Sequence, residues 1–454
     1  MNYEKYVKEL IKKSRVAQKQ FEKFNQKEVD ELVKATGKTV YDNAAELARM
    51  AVEETGMGVY EDKLAKNKGK AKTIWNDLKN KNSVGIIERD EAVGIVKIAK
   101  PMGVVASVTP TTNPIVTVMS NVMFALKGRN SIIIAPHPRA KECSSYTVKL
   151  INRAIVKYHA PENLIQIIEE PKLELTNKLM QMADVTVATG GSGMVKAAYS
   201  SGKPAYGVGP GNVQCIIDRY MKIDKVVEYI ITGRSFDNGI ICSGEQSVIA
   251  HEDDYNKIIE QFKNNNCYYI EDSKEKEAIR NTLFPDGIMN KDVVGQSAYK
   301  IGQMAGIPIS KDTKVILIEA DGIGEKDLLC KEKMCPVLAT FRYKNFKEAV
   351  KIAQTNLEFE GTGHSAVIHS NNIDHIEYAG EKLKVSRLVV NQPCSTTAGG
   401  SLYNGFAPTT TLGCGSWGNN SISENFTYKH MVNITRIGYL MKDRDVPTDE
   451  EIWR

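Results

Sequence analysis

The stretch SIIIAP, residues 131–136, decides the fold of this chain. Its short run of β-branched residues predicts a buried strand, and a helix is predicted directly after it, from about Ala140 to Tyr158. The pattern then repeats, with strands predicted at LIQIIE (164–169) and DVTVATGG (184–191) and a helix between them from Lys172 to Met182. Alternating short apolar runs and helices predict an α/β fold whose parallel sheet carries helices on both faces.

The regions on either side of this core have other patterns. Residues 1 to about 80 have the apolar periodicity of helices, and residues 85–108 predict a β-ribbon that enters a buried strand. The run 394–421, rich in Gly, Ser and Thr, is either a linker or a functional loop, as long loops in compact domains usually are. A second α/β segment is predicted after about Val213, with strands at SVIAH (247–251), VILIEA (315–320), CPVLATFRY (335–343), SAVIHS (365–370) and SRLVVNQ (386–392).

Composition argues against several functional classes. The 454 residues include 60 Lys plus Arg and 55 Asp plus Glu, and the net charge of +5 suits small anionic ligands but not nucleic acid. The eight cysteines form no CxxC pair and no zinc-type spacing, so we expect no metal and free thiols in a reducing cytoplasm. The N-terminus is charged and no apolar run has membrane-spanning length, so we expect a cytoplasmic protein with no signal peptide and no membrane contact.

The stretch FDNGIICSGEQS (236–247) places one thiol in a turn. Cys242 follows two isoleucines and precedes Ser243 and Gly244, so a short apolar run ends in small residues that can lift the thiol into a cleft. Most cysteines are small buried hydrophobes, and this stretch alone leaves that alternative open for Cys242. In a cleft, a cysteine is a strong nucleophile even at a small thiolate fraction.

Two further turns carry groups that complement a nucleophile. TPTTNP (109–114) offers the side-chain amide of Asn113 as a donor to an oxyanion, although Asn-Pro is more often only a turn. ATGGSG (188–193) lies between a strand and a helix, where its glycines let phosphates approach the helix N-terminus. It is not the GxGxxG pattern, so it indicates a dinucleotide only moderately.

The stretch APHPRAK (135–141) ends the deciding strand with three basic residues, His137, Arg139 and Lys141. Such cations suit an adenosine ribose or its 2′-phosphate, which favours NADP over NAD. A solvated charged turn is the alternative.

Taken in order, TPTTNP, APHPRAK, ATGG, GVGPGN (207–212), Cys242 and EKMCPV (332–337) resemble the aldehyde dehydrogenase superfamily across essentially the whole chain. APHPRAK and GVGPGN are similar to motifs of its CoA-acylating members. The stretches AYGVGPGN, ITGRSFDNGIICSGEQSVIA, LCKEKMCPVL, VVNQP and TTTLGCGSWGNNSISEN most closely resemble the clostridial CoA-dependent succinate-semialdehyde dehydrogenases. The resemblance implies two Rossmann-like α/β domains plus a small β oligomerisation ribbon.

The resemblance also implies a role for each matched residue. Cys242 would attack the aldehyde, and Asn113 with the Cys242 backbone N–H would stabilise the oxyanion before hydride transfer leaves an acyl-cysteine. Glu332 would hold the nicotinamide ribose. The other residues assigned to the cofactor are Thr109, Pro136, His137, Arg139, Thr189, Gly190 and Gly191.

One departure from the superfamily decides the fate of the acyl group. GVGPGN stands where hydrolytic members carry a water-activating Glu, so the acyl-enzyme is expected to wait for a thiol such as CoA. His364 is a candidate proton carrier for that step, although a structural histidine is the more frequent alternative. The candidate substrate donors are Arg234, Ser243, Ser395 and Thr396.

We therefore expect an enzyme that interconverts succinyl-CoA and NAD(P)H with succinate semialdehyde, CoA and NAD(P)⁺. The alternatives are the same chemistry on sulfoacetaldehyde, acetaldehyde or propanal, or a non-catalytic scaffold, which the intact site residues disfavour. We expect residues 1–213 to form a cofactor-binding domain with an oligomerisation ribbon at about 85–99 and residues 214–415 to form the catalytic domain. Residues 416–454 would return to the first domain. The ribbon and the strand-like tail 426–439 leave edges that a partner chain normally covers, which predicts a homodimer or a homotetramer.

Overall fold

The computed structural model describes residues 2–442 and 444–454 and arranges their strands in three sheets. The strands are β1 (Gly85–Asp90), β2 (Ile95–Pro101), β3 (Val104–Thr109), β4 (Ser131–Pro136), β5 (Ile165–Ile167), β6 (Val185–Thr189), β7 (Ala205–Val208), β8 (Gln214–Ile217), β9 (Ser247–His251), β10 (Cys267–Ile270), β11 (Val315–Glu319), β12 (Val337–Tyr343), β13 (Ala366–His369), β14 (Leu388–Val390) and β15 (Val432–Gly438). The α-helices are α1 (Tyr3–Phe21), α2 (Gln26–Asp42), α3 (Ala44–Thr55), α4 (Tyr60–Leu78), α5 (Pro114–Lys127), α6 (Lys141–Ile155), α7 (Leu173–Met182), α8 (Ser192–Tyr199), α9 (Ile223–Ser235), α10 (Glu252–Lys263), α11 (Ser273–Leu283), α12 (Ala298–Ala305), α13 (Phe346–Phe359), α14 (Ile373–Lys382), α15 (Cys394–Thr397) and α16 (Asp449–Trp453). None of the helices in the described residues is both long and apolar enough to cross a membrane.

The first parallel sheet has the strand order β5-β4-β3-β6-β7. Successive residues of β3 point to opposite helical layers, because Val105 packs in the core formed with α2, α5 and α6 while Ala106 packs in the core formed with α1 and α7. Strands β3 and β4 are therefore buried along their whole length. The strand order reverses between β3 and β6, and a crevice at such a reversal is where open α/β sheets bind ligands.

The second parallel sheet has the order β10-β11-β12-β9-β8-β13-β14. Ile216 of β8 and Ile249 of β9 pack in a core with α11 to α14. Their neighbours Cys215 and Val248 pack on the other face with α9 and α10. Both sheets are therefore sandwiched between helices, which confirms the predicted α/β class with parallel sheets.

The third sheet is small and antiparallel, with β2 between β1 and β15. The predicted ribbon is its β1–β2 hairpin. The C-terminal strand pairs along β2 from Val432 opposite Pro101 to Gly438 opposite Ile95. The end of the chain thus returns to the segment that leads directly into β3, the central strand of the first sheet.

Candidate active site

The segments that precede four neighbouring strands of the second sheet carry three of the predicted reactive residues and the last residue of the GVGPGN motif. Asn212 precedes β8, Cys242 precedes β9, Glu332 precedes β12, and His364 precedes β13. Because β12, β9, β8 and β13 are parallel neighbours, their amino ends lie at one edge of the sheet. The residues are therefore brought together although up to 152 positions separate them.

The predicted cofactor residues lie at the carboxyl edge of the first sheet. Thr109, Pro136 and Thr189 are the last residues of β3, β4 and β6 in the first sheet. Thr109 lies directly across from Pro136 in the strand register. The segment 209–213 runs from the carboxyl end of β7 to the amino end of β8, so it joins the two edges.

The nucleophile loop, residues 236–246, is held by one buried arginine. The Arg234 guanidinium donates from Nη2 to the carbonyl of Gly239 at 3.1 Å, from Nη1 to that of Glu245 at 2.8 Å, and from Nε to that of Cys335 at 2.7 Å. These bonds flank Cys242 on both sides and pin the loop to the strand entry of β12. Arg234 is fully buried and does not line the cavity described below, which corrects its expected role as a substrate donor.

A cavity of about 270 Å³ opens beside Cys242. It lies between α4, the nucleophile loop and the segment 395–412. The thiol and the Asn113 side chain both line it, and so do three of the four predicted substrate residues, Ser243, Ser395 and Thr396. The Ser395 Oγ is buried and has no hydrogen-bond partner within the described residues. Nucleophile, amide donor and hydroxyls thus face one volume.

The thiol of Cys242 is half-buried and unpaired. Burial raises its pKa to about 12, the Glu332 carboxylate and Cys414 act in the same direction, and the Arg387 guanidinium opposes them. The thiol is therefore protonated at neutral pH, and forming the thiolate requires a proton acceptor. Two nearby carboxyls have pKa values close to neutral pH, because burial raises the pKa of Glu245 to about 7 and that of Glu332 to about 8.

The Asn113 amide precedes α5, whose first residue is Pro114. Its Oδ1 accepts a hydrogen bond from Lys66 Nζ at 2.5 Å, and its Nδ2 lies 3.3 Å from the Thr112 hydroxyl. Proline at the first helical position fixes the turn, so the asparagine is presented at the helix start toward the cavity. The amide is thereby oriented by a charged donor.

The cofactor edge leaves room at the glycine turn. A Cβ built on Gly191 would meet no atom within 4 Å, and the Thr109 hydroxyl is buried with no partner within the described residues. The Thr189 hydroxyl lies 3.3 Å from that of Thr411. Glu332 accepts the backbone N–H of Gly211 at 3.1 Å, which places its carboxylate at the junction of the two edges. The residues present therefore suit a dinucleotide laid across the crevice between β3 and β6.

The three basic residues after β4 differ in charge and in pairing. His137 is exposed, but burial of its ring together with Arg139 and Lys291 lowers its pKa, so it is neutral at pH 7. Lys141 is paired with Glu170 at 2.7 Å. Arg139 is exposed and donates once, from Nη2 to the Thr55 carbonyl at 3.2 Å. Arg139 thus differs from Lys141 in forming no salt bridge within the described residues.

A family model described as "Aldehyde dehydrogenase family" matches residues 2–273 and 320–431. The chain belongs to the aldehyde dehydrogenase family. It is 57% identical over 453 residues to "Succinate-semialdehyde dehydrogenase (acetylating)" of Clostridium kluyveri, and the match covers 100% of both chains.

Two solved structures resemble this aldehyde dehydrogenase closely. An acetylating aldehyde dehydrogenase from Geobacillus thermoglucosidasius has a TM-score of 0.94 at 38% identity over 98% of both chains. A propionaldehyde dehydrogenase from Rhodopseudomonas palustris, solved with bound CoA and an acylated cysteine, has a TM-score of 0.85 at 28% identity over 95% of this chain and 97% of that one. The resemblance drawn from the motifs is confirmed by these relatives.

His364 lies behind the cavity of this aldehyde dehydrogenase rather than on its surface. It is fully buried, and neither ring nitrogen has a hydrogen-bond partner within the described residues. Burial, aided by Arg387, lowers its pKa to about 3, so the ring is neutral. A Cβ built on Gly211 would lie 3.2 Å from the His364 Cε1, which places the ring against the joining segment, residues 209–213.

Two cavity lysines were missed by the sequence reasoning. Lys66 and Lys70 lie one turn apart on α4, and both line the cavity. Lys70 donates from Nζ to the carbonyl of Gly399 at 2.7 Å, and burial lowers its pKa to about 8, with Lys66 acting in the same direction. Their spacing of four could have been read as one helix face, but α4 contains five lysines, which hide that signal.

Proposed function

We propose that this protein is a CoA-acylating aldehyde dehydrogenase that interconverts succinate semialdehyde, CoA and NAD(P)⁺ with succinyl-CoA and NAD(P)H. The single observation that carries the proposal is the lining of the cavity beside Cys242. It contains a thiol, an amide donor and the Lys70 ammonium, and no carboxylate among the described residues. The thiol and amide serve the aldehyde, the ammonium serves a carboxylate on the substrate, and no lining group activates water.

Acylation begins when the Cys242 thiol gives up its proton, which the overall reaction releases, and the sulfur attacks the aldehyde carbon as its thiolate. The carbonyl oxygen becomes an oxyanion, which the Asn113 Nδ2 and the Cys242 backbone N–H stabilise as donors. A nicotinamide cofactor, when bound, would supply the acceptor for the hydride of the former aldehyde carbon. The residues proposed to hold that cofactor are Thr109, Pro136, His137, Arg139, Thr189, Gly190, Gly191 and Glu332.

The acyl group then passes from Cys242 to CoA. The CoA thiolate attacks the thioester carbon, the same donors stabilise the second oxyanion, and the Cys242 thiolate leaves as the carbon–sulfur bond breaks. Water is a poor competitor, because the segment 209–212 carries no carboxylate to deprotonate it. His364 is buried and neutral, so as a proton carrier for this step it would need an opening toward the cavity.

The group at the end of the substrate away from the aldehyde determines which aldehydes fit the cavity. Lys70 has three N–H donors and directs two of them to the carbonyls of Gly399 at 2.7 Å and Gly400 at 3.5 Å, which leaves the third for a substrate. The unpartnered hydroxyls of Ser395 and Thr410 line the same cavity. A carboxylate would satisfy all three residues, whereas acetaldehyde or propanal would leave a buried charge and two hydroxyls unpaired, which disfavours them.

The remaining features extend the proposal to cofactor choice and assembly. Arg139 supports NADP, because an exposed guanidinium beyond β4 suits a 2′-phosphate. Residues 1–213 would bind the cofactor, 214–415 would carry the nucleophile, and 416–454 would complete the ribbon. The outer edges of β1 and β15 have no strand partner within the described residues, which supports a homodimer or homotetramer. Eight free cysteines support a cytoplasmic location.

A substrate panel tests the proposal directly. Succinate semialdehyde, sulfoacetaldehyde, acetaldehyde and propanal are each oxidised with and without CoA, while NADPH and NADH formation are followed separately. We expect turnover that depends on CoA, with the highest kcat/KM for succinate semialdehyde and succinyl-CoA as the product. Equal NAD(P)H formation without CoA, with free succinate released, would show that water is the acceptor. A higher kcat/KM for sulfoacetaldehyde would assign the Lys70 end of the cavity to a sulfonate.

A further inference from the structure

Behind Asn113, three charged side chains form a buried cluster that the proposed reaction leaves without a role. Lys63 and Lys66 of α4 place their ammonium groups 3.0 Å and 2.5 Å from the same oxygen, Oδ2 of Asp237. The side chains of the three residues are at most 8% exposed. Asp237 belongs to the nucleophile loop, so the cluster connects α4 to the segment that carries Cys242.

We infer that Lys66 is a positioning residue that sets the orientation and donor strength of the Asn113 amide. Its Nζ donates to Asn113 Oδ1 at 2.5 Å while also donating to Asp237 Oδ2. The Lys66 ammonium can only donate hydrogen bonds, and the Asn113 amide can accept one only at Oδ1. A flipped amide would place the Nδ2 donors against the ammonium, which is unfavourable. Lys66 therefore leaves Nδ2 as the end that can donate to a substrate oxyanion. The inference rests on the proposed function, which makes Asn113 the oxyanion donor.

The same bond strengthens the donor. Positive charge at Oδ1 polarises the amide, and hydrogen bonds in a chain reinforce one another. Lys63 and Lys66 bring two positive charges against the one carboxylate of Asp237, so charge favours an oxyanion forming next to them. Asp62 also faces the cluster through the Asp237 backbone N–H, at 2.7 Å, and burial raises the pKa of Asp62.

Asp237 fixes where the Lys66 ammonium lies. Its Oδ1 accepts the backbone N–H of Val59 at 2.8 Å, and its backbone is in the left-handed region at φ 54°. Gly58 allows this approach, because a Cβ there would stand 2.0 Å from Asp237 Oδ1. Lys66 is thus held between the oxyanion donor and the nucleophile loop, with little freedom to move from either.

The experiment is a double-mutant cycle on the first turnover. Lys66→Met, Asn113→Ala and the double variant are compared by the single-turnover rate of NAD(P)H formation from succinate semialdehyde. We expect Lys66→Met to slow acylation by about 10- to 100-fold, the cost of a charge-assisted hydrogen bond, with the aldehyde KM unchanged. In the Asn113→Ala background, Lys66→Met should lower the single-turnover rate by less than about threefold. The matched control, Lys72→Met on the exposed face of α4, should stay within about twofold of wild type.

Two further measurements separate the possible roles of Lys66. Alkylation of Cys242 by iodoacetamide forms no oxyanion, so its rate should stay within about twofold in Lys66→Met. Lys66→Gln keeps a neutral donor, so it should lie between Lys66→Met and wild type, and it replaces Lys66→Met if that variant does not fold by circular dichroism.

The inference is overturned by an equal loss in both backgrounds, which would mean that Lys66 acts independently of Asn113. It is also overturned by slowed alkylation, which would place its effect on the thiol. The proposed function itself fails differently, through Asn113→Ala acylating at the wild-type rate or through wild-type turnover that ignores CoA.

Discussion

The two parallel sheets meet through unlike edges, and the edges are packed differently. At the carboxyl edge of the first sheet, Cβ atoms built on Gly191 and Gly209 would meet nothing within 4 Å. At the amino edge of the second, a Cβ on Gly211 would lie 1.9 Å from the Cys242 carbonyl oxygen, and one on Gly233 would lie 1.9 Å from Glu245 Oε2. The cofactor edge is open where a ligand must enter and leave, whereas the nucleophile edge is closed where a sulfur must be held.

Hydrogen bonding shows the same contrast. Asn212, at the closed edge, donates from one amide nitrogen to the carbonyls of Cys330 at 2.6 Å and Glu360 at 2.9 Å. Thr109, at the open edge, has a buried hydroxyl with no partner within the described residues. Catalysis by a positioned thiol tolerates little displacement, so the closed edge should be the more sensitive to substitution.

The largest expected effect is at the nucleophile itself. Cys242→Ala should lower acyl-CoA reduction by at least about 10³-fold, because neither half-reaction can proceed without the thioester. Binding of NADPH, measured by fluorescence, should stay within about threefold, since the open edge is untouched. Cys267→Ala, on the remote strand β10, is the matched control and should keep its activity. Retained turnover in Cys242→Ala would remove the assignment of the nucleophile.

The joining segment contains one glycine in open space and one in close packing, so it tests directly whether the two edges differ in their tolerance of substitution. Gly211→Ala should reduce kcat by about 100-fold, because its methyl group would overlap the Cys242 carbonyl and displace the loop. Gly209→Ala, two residues earlier in the same segment, should change kcat by less than about threefold, since open space surrounds it. Similar losses in both variants would mean that the edges do not differ in tolerance.

Sequence patterns predicted most of the strands well, but they did not predict how side chains pack at the closed edge. Runs such as SIIIAP and SVIAH are continuous and apolar because both faces of a parallel sheet are covered, so their positions could be read directly. Strands β7, β8 and β10 have four residues each and were not predicted, although the equally short β13 was. Motif order placed Cys242 and Asn113, which line one cavity.

What the sequence could not show is which way a charged side chain points. Arg234, eight residues before the nucleophile, was expected to face the substrate, yet its donors are satisfied by three backbone carbonyls. Lys66 and Lys70 were indistinguishable from their solvated neighbours on α4. The neutrality of His137 depends on burial and on Lys291, which is far away in the chain. Each of these outcomes is set by tertiary contacts rather than by local pattern.

At the open edge, cofactor choice should respond to a single charge. Arg139→Glu should lower the ratio of NADPH to NADH kcat/KM by about tenfold or more, because a carboxylate repels a 2′-phosphate that the guanidinium attracts. The matched control is Lys149→Glu on the exposed side of α6, which makes the same charge change away from the crevice. An unchanged ratio in Arg139→Glu would leave the preference without a basis in this turn.

The smallest expected effect concerns pH and the substrate end of the cavity. The pKa of Lys70 is about 8, lowered chiefly by burial, so its ammonium is present below pH 8 and is lost as the pH rises through that value. Its attraction for a substrate carboxylate should be lost over the same range. The dissociation constant of succinate semialdehyde, measured by calorimetry on Cys242→Ala to prevent reaction, should therefore rise about tenfold between pH 7 and pH 9. Propanal, which has no carboxylate, should show no such rise. Lys70→Met should bind succinate semialdehyde weakly at both pH values. A parallel rise for propanal would place the titrating group elsewhere, and a flat profile for succinate semialdehyde would mean that Lys70 is not its anchor.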